Sequence, residues 1–261
     1  MMSEPRRSSN DSQVLDDVRR ALGRKTTLRP TQLDPFVEER ATPDSEEVVA
    51  RFTSELIAVG GHVHRISDNL QSVAAVPDKP VPEPDNKQKV AGQVAMRIAQ
   101  ICQAAAVAQG ASEVALSKSL LIAEMELRDQ LSARGLSAFV PETAGPSEHD
   151  QLVAWLAACG AGVTAVEYGI AETGTIVLCS DEGNGLLVSL LPIIHIALLR
   201  SRQISWSLSE VIDKLNVERV DGPSSYRSAT MITGPSRTSD VELTLSIGVH
   251  GPKELHVIIL D

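Results

Sequence analysis

Apolar residues recur at helical spacing at Val48, Phe52, Leu56 and Val59, behind Asp44 with Glu47 three residues on, a capping-box-like start, and ahead of Gly60-Gly61. This spacing predicts a helix over about 45–59. Gly61-His62-Val63-His64-Arg65 then reads as a short strand, and Pro77 to Pro84 as a loop, because proline continues neither a helix nor a ladder. A long Ala-rich helix from about Lys87 to Ala108 precedes a strand at 113–116. Ser117-Lys118-Ser119 opens another helix, with Leu120, Leu127 and Leu131 on one face and Glu124 four residues before Arg128. Gly135 closes it, and a strand follows at Leu136 to Val140. Strand, helix, strand in this order is the signature of a parallel sheet.

The alternation continues. Ser147 caps a helix carrying Leu152, Trp155, Leu156 and Cys159, and strands are expected at 175–178, 194–199, 229–233 and 255–260. Ser207 with Glu210 is a second capping box, heading a helix with Leu208, Val211, Ile212 and Leu215 on one face. Residues 241–247 support two readings. Val241, Leu243, Leu245 and Ile247 alternate as in a strand, yet Gly234-Pro235-Ser236 resembles a helix start and Gly248 its stop; helix is the preferred reading. The pattern therefore predicts an α/β fold, a mainly parallel sheet flanked by helices. Ahead of it, residues 1–13 are polar, Val14, Leu15, Val18 and Leu22 mark a short amphipathic helix, and 24–43 form a proline-interrupted connector. The expected division is an arm over 1–43 and an α/β domain over 44–261.

Composition narrows the function. The 261 residues are 43% hydrophobic, enough for a substantial core, and only 3% aromatic, so Ala, Val, Leu and Ile supply the apolar mass. A formal charge of -10 argues against nucleic-acid binding, which needs a basic stripe; the basic residues Arg6, Arg7, Arg19, Arg20, Arg24 and Lys25 gather in the arm and read as solvated. Cys102, Cys159 and Cys179 are too far apart for a disulfide framework, a zinc cluster or an iron–sulfur cluster within this chain, so a reducing compartment, the cytoplasm, is expected. The N-terminus lacks an apolar signal core. Leu186 to Leu199 is interrupted by Pro192 and His195 and is too short to span a bilayer, so no membrane role is expected.

Four segments are richer in Gly, Pro, Thr, His and acids than packing requires: 171–175 (Ala-Glu-Thr-Gly-Thr), 190–195 (Leu-Leu-Pro-Ile-Ile-His), 234–242 (Gly-Pro-Ser-Arg-Thr-Ser-Asp-Val-Glu) and 248–252 (Gly-Val-His-Gly-Pro). Each lies where a loop meets an element, the kind of place where backbone N–H groups face an anion. In this order and near the C-terminus, the four segments resemble the LUD-domain lactate-utilisation proteins of the LutC type. The likeness is strongest over 147–261, with Ser117-Lys118 and the opening Val18-Arg19-Arg20-Ala21-Leu22-Gly23 helix as looser matches.

The resemblance implies a fold similar to coenzyme A transferases and ribose-5-phosphate isomerase, and a place in a lactate-oxidising system beside iron–sulfur protein subunits. The expected function is an accessory subunit of L-lactate oxidation that binds a small anionic ligand; its cofactor, if any, is left open. The rival readings are a stand-alone enzyme of acyl or sugar-phosphate chemistry and a binding module without catalysis. Glu172 is a candidate base or acyl acceptor by analogy with transferases of similar fold, or else it orders a turn. His195 and His250 are candidate acid–base groups, His195 being equally readable as a satisfied core histidine. Thr173, Gly174 and Thr175 offer an anion-cradling turn, and Lys118 a cation for a substrate. Gly234, Pro235, Ser236, Thr238 and Asp240, with Gly251 nearby, suggest an anion held at a helix N-terminus with Arg237 as the local cation; the same residues are explicable as helix capping. His195, His250, Asp240 and Glu242 are of metal-ligating type but form no i, i+4 histidine pair, and no metal is expected.

Overall fold

The computed structural model describes residues 44–66, 84–109, 113–141, 148–180, 185–221, 228–239, 245–248 and 250–261. The arm over 1–43, and with it the amphipathic helix expected there, lies outside the described residues, as do the capping role of Ser147 and Asp240 to Thr244. Residues 43–261 pack as one compact unit.

The chain runs α1 (Ser45–Ala58), β1 (His62–Ile66), α2 (Pro84–Gln109), β2 (Glu113–Leu116), α3 (Leu120–Glu124), α4 (Leu127–Ser132) and β3 (Ser137–Phe139). It continues through α5 (His149–Ala158), β4 (Ala161–Ala165), β5 (Tyr168–Ile170), β6 (Thr175–Ser180), α6 (Gly185–Leu190), β7 (Ile194–Arg200), a 3-10 turn (Ser201–Gln203) and β8 (Ile204–Ser205). The last elements are α7 (Leu208–Asp221), β9 (Ser228–Ile232), β10 (Arg237–Ser239), β11 (Leu245–Ile247) and β12 (Glu254–Leu260).

Six strands form a parallel sheet in the order β1-β12-β7-β4-β2-β3. Two of its interior strands, Ile194–Arg200 and Glu254–Leu260, read as near-continuous apolar runs because both faces are covered. On one face, Ile196, Leu198, Ile258 and Leu260 pack against Val94, Ile98 and Ile101 of α2. On the other, Ala197, Leu199, Val257 and Ile259 meet Phe52 and Leu56 of α1 and Ile176 and Leu178 of β6. Phe52 and Leu56 are fully buried, and each such side chain contributes about 1.5–3 kcal/mol by leaving water. A smaller sheet, β8-β5-β6-β9, pairs β6 antiparallel with both β5 and β9.

Two local expectations are corrected. The helix expected after Ser119 is split, because Glu126 takes a left-handed conformation (φ 47°) between α3 and α4. Leu127 and Leu131 are then buried while Leu120, expected on their face, is 82% exposed. The helix preferred for 241–247 is also wrong for the residues described there: Leu245–Ile247 is a strand, paired antiparallel with Arg237–Ser239. The period-2 alternation of Leu243, Leu245 and Ile247 was the truer signal, and the Gly-Pro-Ser segment begins a hairpin strand instead of a helix.

Candidate functional site

Three of the four segments singled out in the sequence line one cleft. Its walls come from Ser189 and Leu190 at the end of α6, His195, Ile232, Gly234 to Ser236, and His250 to Pro252 with Leu255. The cleft holds about 140 Å³, the space of roughly five waters at about 30 Å³ each. The walls meet for topological reasons. Leu255 and His195 are register partners at the second positions of β12 and β7, so the loops preceding these strands arrive side by side. Backbone bonds then join the third and fourth segments: Ser236 N–H donates to the Pro252 carbonyl (3.0 Å) and Gly248 N–H to the Ser236 carbonyl (3.0 Å). The cleft opens at the amino ends of the parallel strands, whereas open α/β sheets usually bind at the carboxyl ends.

His195 is its most unusual wall. The side chain is 1% exposed and Nε2 lies 2.8 Å from the Thr164 hydroxyl on β4, but Nδ1 is buried with no hydrogen-bond partner among the described residues. An unpaired buried polar atom costs about 1–3 kcal/mol, so a residue of this kind calls for an explanation beyond packing. Burial pushes the imidazole down to about 3, because the cation would lose its hydration. At neutral pH His195 is therefore uncharged, suited to donating or accepting one directed hydrogen bond and poorly suited to storing a proton. His250 is exposed at the rim, and Ser236 is half-buried beside Gly251.

The remaining candidates serve other contacts. Arg237 donates to the Val59 carbonyl past the end of α1, where the helix leaves acceptors unpaired and its dipole is negative. The helix N-terminus expected beside Arg237 is thus corrected: residues 237–239 form a strand, and one nitrogen of the guanidinium is bonded to the end of α1. Gly234 (φ 79°) brings its turn against the same Val59 carbonyl, where a Cβ would not fit. Thr238 lies in β10, paired with Ser246, and Asp240 is outside the described residues.

The 171–175 segment does not line the cleft. Glu172 is exposed, its N–H bonded to the Trp206 carbonyl. Gly174 (φ 62°) sits against the backbone of Glu55 and Leu56, so its lack of a Cβ serves the approach of α1 and not of an anion. Thr173 and Thr175 share a hydroxyl bond of 2.7 Å, and Thr175 bonds Thr233 at 2.6 Å, which ties the segment to the strand leading into Gly234. Lys118 lines a different cleft of about 260 Å³ beyond the carboxyl ends of β2 and β3, with Ser117, Ser119, Arg128 and Asp129. Among the residues missed, Thr164, Ser189 and Leu255 carry no motif of their own. Ser189 and Leu255 enter the cleft, and Thr164 reaches His195, only through strand register and the packing of α6, and no local sequence signal could have found them.

A sequence profile of the LUD domain matches residues 49–260. Lactate utilization protein C of Halalkalibacterium halodurans is 33% identical over 131 residues, covering 49% of this chain and 57% of that one. Lactate utilization protein C of Macrococcus caseolyticus is 36% identical over 100 residues, covering 38% of this chain and 43% of that one. The matched part thus spans about half the length of these curated relatives. In overall fold the chain is similar to a crystal structure of a DUF162 family protein from Deinococcus radiodurans, with TM-score 0.52 and 18% identity over 84% of this chain and 99% of that one. With its sheet order, its helices on both faces and a profile match over nearly all the residues described, the chain belongs to the LUD-domain family.

Proposed function

We propose that this chain is an accessory component of an L-lactate oxidation system, and that it binds a small anionic ligand, a short hydroxy or keto acid, in the cleft around His195. The observation that carries the reading is the place of His195, a buried histidine whose Nδ1 has no hydrogen-bond partner among the described residues, on the wall of a cleft of about 140 Å³. That volume suits a ligand of a few carbons, and a neutral imidazole pairs with a hydroxyl or a carbonyl as readily as with a carboxylate oxygen. Ser236 and His250 supply further hydrogen-bonding groups at the wall and rim. The relatives named lactate utilization protein C make lactate and pyruvate the first ligands to try.

In this role the electron transfer belongs to iron–sulfur protein partners. Buried Cys102 and Cys159 sit in separate packing clusters with their thiols pushed up to about 11 by burial, which makes them poor thiolate ligands. Two measurements test the proposal. Lactate or pyruvate should raise the melting temperature of the purified chain, with the shift lost in His195→Gln, since a ligand that binds only the folded state stabilises it. Lactate oxidation should require both this chain and its iron–sulfur partners. Turnover by the chain alone would favour the stand-alone enzyme, and a ligand shift unaffected by His195→Gln would move the site elsewhere.

A further inference from the structure

The opposite face of β12 carries a second polar group of residues. Side chains alternate along a strand, so Glu254 and His256 face away from Leu255 and the His195 cleft. The register pairs His62 of β1 with His256, which brings residues from the two ends of the sequence onto one surface. The rings of His62 and His256 stack with centroids 4.5 Å apart, and those of His64 and His256 with centroids 5.3 Å apart. His64 Nε2 lies 3.0 Å from His256 Nδ1, and His256 Nε2 lies 3.0 Å from Glu254 Oε2.

Packing does not call for three imidazoles and a carboxylate at this edge; an apolar residue would serve β12 equally well, as Ile258 and Leu260 do on the same face. With a proton on Nδ1, His256 would donate to His64 Nε2, which directs its own Nε2 lone pair at the Glu254 carboxylate.

We propose that His62, Glu254 and His256 bind one divalent transition-metal ion of the zinc class, with His64 as the positioning residue that fixes the tautomer of His256. The three ligand atoms lie within 4.8 Å of one another. Zn–N and Zn–O bonds of about 2.0–2.2 Å in tetrahedral geometry bring ligand atoms to about 3.3 Å apart, and His62, the exposed member, has the freedom to swing inward. Two histidines and one carboxylate leave the fourth position open for water or a ligand oxygen. A neighbour that accepts from the non-ligating N–H of a metal-bound histidine, as His64 would with His256 protonated on Nδ1, is the usual outer arrangement around such sites. The ion would clamp the edge strand β1 to β12.

The test is zinc and cobalt titration of the untagged full-length chain, followed by calorimetry, thermal unfolding and the visible spectrum of bound cobalt. The expected result is one equivalent bound per chain with a raised melting temperature. His62→Gln and Glu254→Gln should each weaken binding at least tenfold, His64→Gln should weaken it about 10–100-fold, and His149→Gln should leave it unchanged. His62 and Glu254 are accessible, so these variants remain informative if His256→Gln fails to fold. Absence of saturable binding, or equally tight binding in folded His62→Gln and Glu254→Gln proteins, would overturn the site.

Discussion

His195 shows how one side chain can be both packed and poised. Its imidazole is buried against Thr164 and held at about 3, while the unfolded chain takes up a proton near the ordinary value of about 6.5. The unfolded state therefore binds the extra proton throughout the interval between those values. Stability from this residue is complete above the upper limit and falls as pH drops through the window, by about 1.4 kcal/mol per pH unit. In His195→Gln the stability–pH curve from urea unfolding should be shallower by up to one proton; an unchanged slope would show that the imidazole is solvated. Glycine makes a second residue-scale contrast. Gly174 and Gly135 both have positive φ, but a Cβ at Gly174 meets the α1 backbone whereas one at Gly135 meets nothing within 4 Å. Gly135→Ala should cost about 1–2 kcal/mol of strain, and Gly174→Ala about 2–5 kcal/mol because overpacking adds to it. Chemical denaturation of the two proteins compares them directly.

At the scale of elements, the central strand β4 is informative because its sequence, Ala-Gly-Val-Thr-Ala, does not read as a strand. Small residues are poor strand formers by propensity, yet Gly162 lies where α6 presses onto the sheet, and a Cβ there would run into the Val188 carbonyl. Gly162→Ala should destabilise the domain by about 3 kcal/mol and loosen α6, which carries Ser189 of the cleft. Differential hydrogen exchange over 185–190 would register that loosening, and unaltered protection would refute it. The N-terminus of α7 follows its expectation more closely: Glu210 N–H donates to the Ser207 hydroxyl, although the Glu210 carboxylate reaches back to the Trp206 N–H and not to that of Ser207. Of its expected face, Val211 and Leu215 are buried while Leu208 and Ile212 are 43% and 40% exposed. The apolar stripe of α7 is narrower than the sequence suggested.

For the whole molecule, the compact unit over 43–261 leads to a prediction about the arm. A chain beginning near Pro43 should express in soluble form and melt cooperatively, as followed by circular dichroism, because the arm is polar and proline-interrupted. Loss of soluble expression would show that residues 1–43 cover core surface. The two polar groups of the domain, the His195 cleft and the histidines of β1 and β12, occupy opposite faces of the same strand ends, so ligand binding at one can be measured independently of the other.

The sequence by itself determined the fold class, most of the long elements and the family, because periodicity and capping are local and repeat over many residues. Helices over 45–58 and 84–109 and strands over 113–116 and 194–200 lie within a few residues of their expected limits. Three of the four segments it marked line the cleft. What only the tertiary structure decided is which marked residues share a site. Lys118 and Glu172 carry the chemistry of a binding site but lie outside the cleft, Gly174 and Arg237 meet the C-terminal end of α1, and Gly234 both lines the cleft and meets that end. A glycine that admits an anion and one that admits a helix backbone look alike in sequence, since both answer only to a missing Cβ. The meeting of His62 with His256 is likewise set by the pairing of β1 with β12, a contact between strands 192 residues apart, from His64 to His256, that no local pattern encodes.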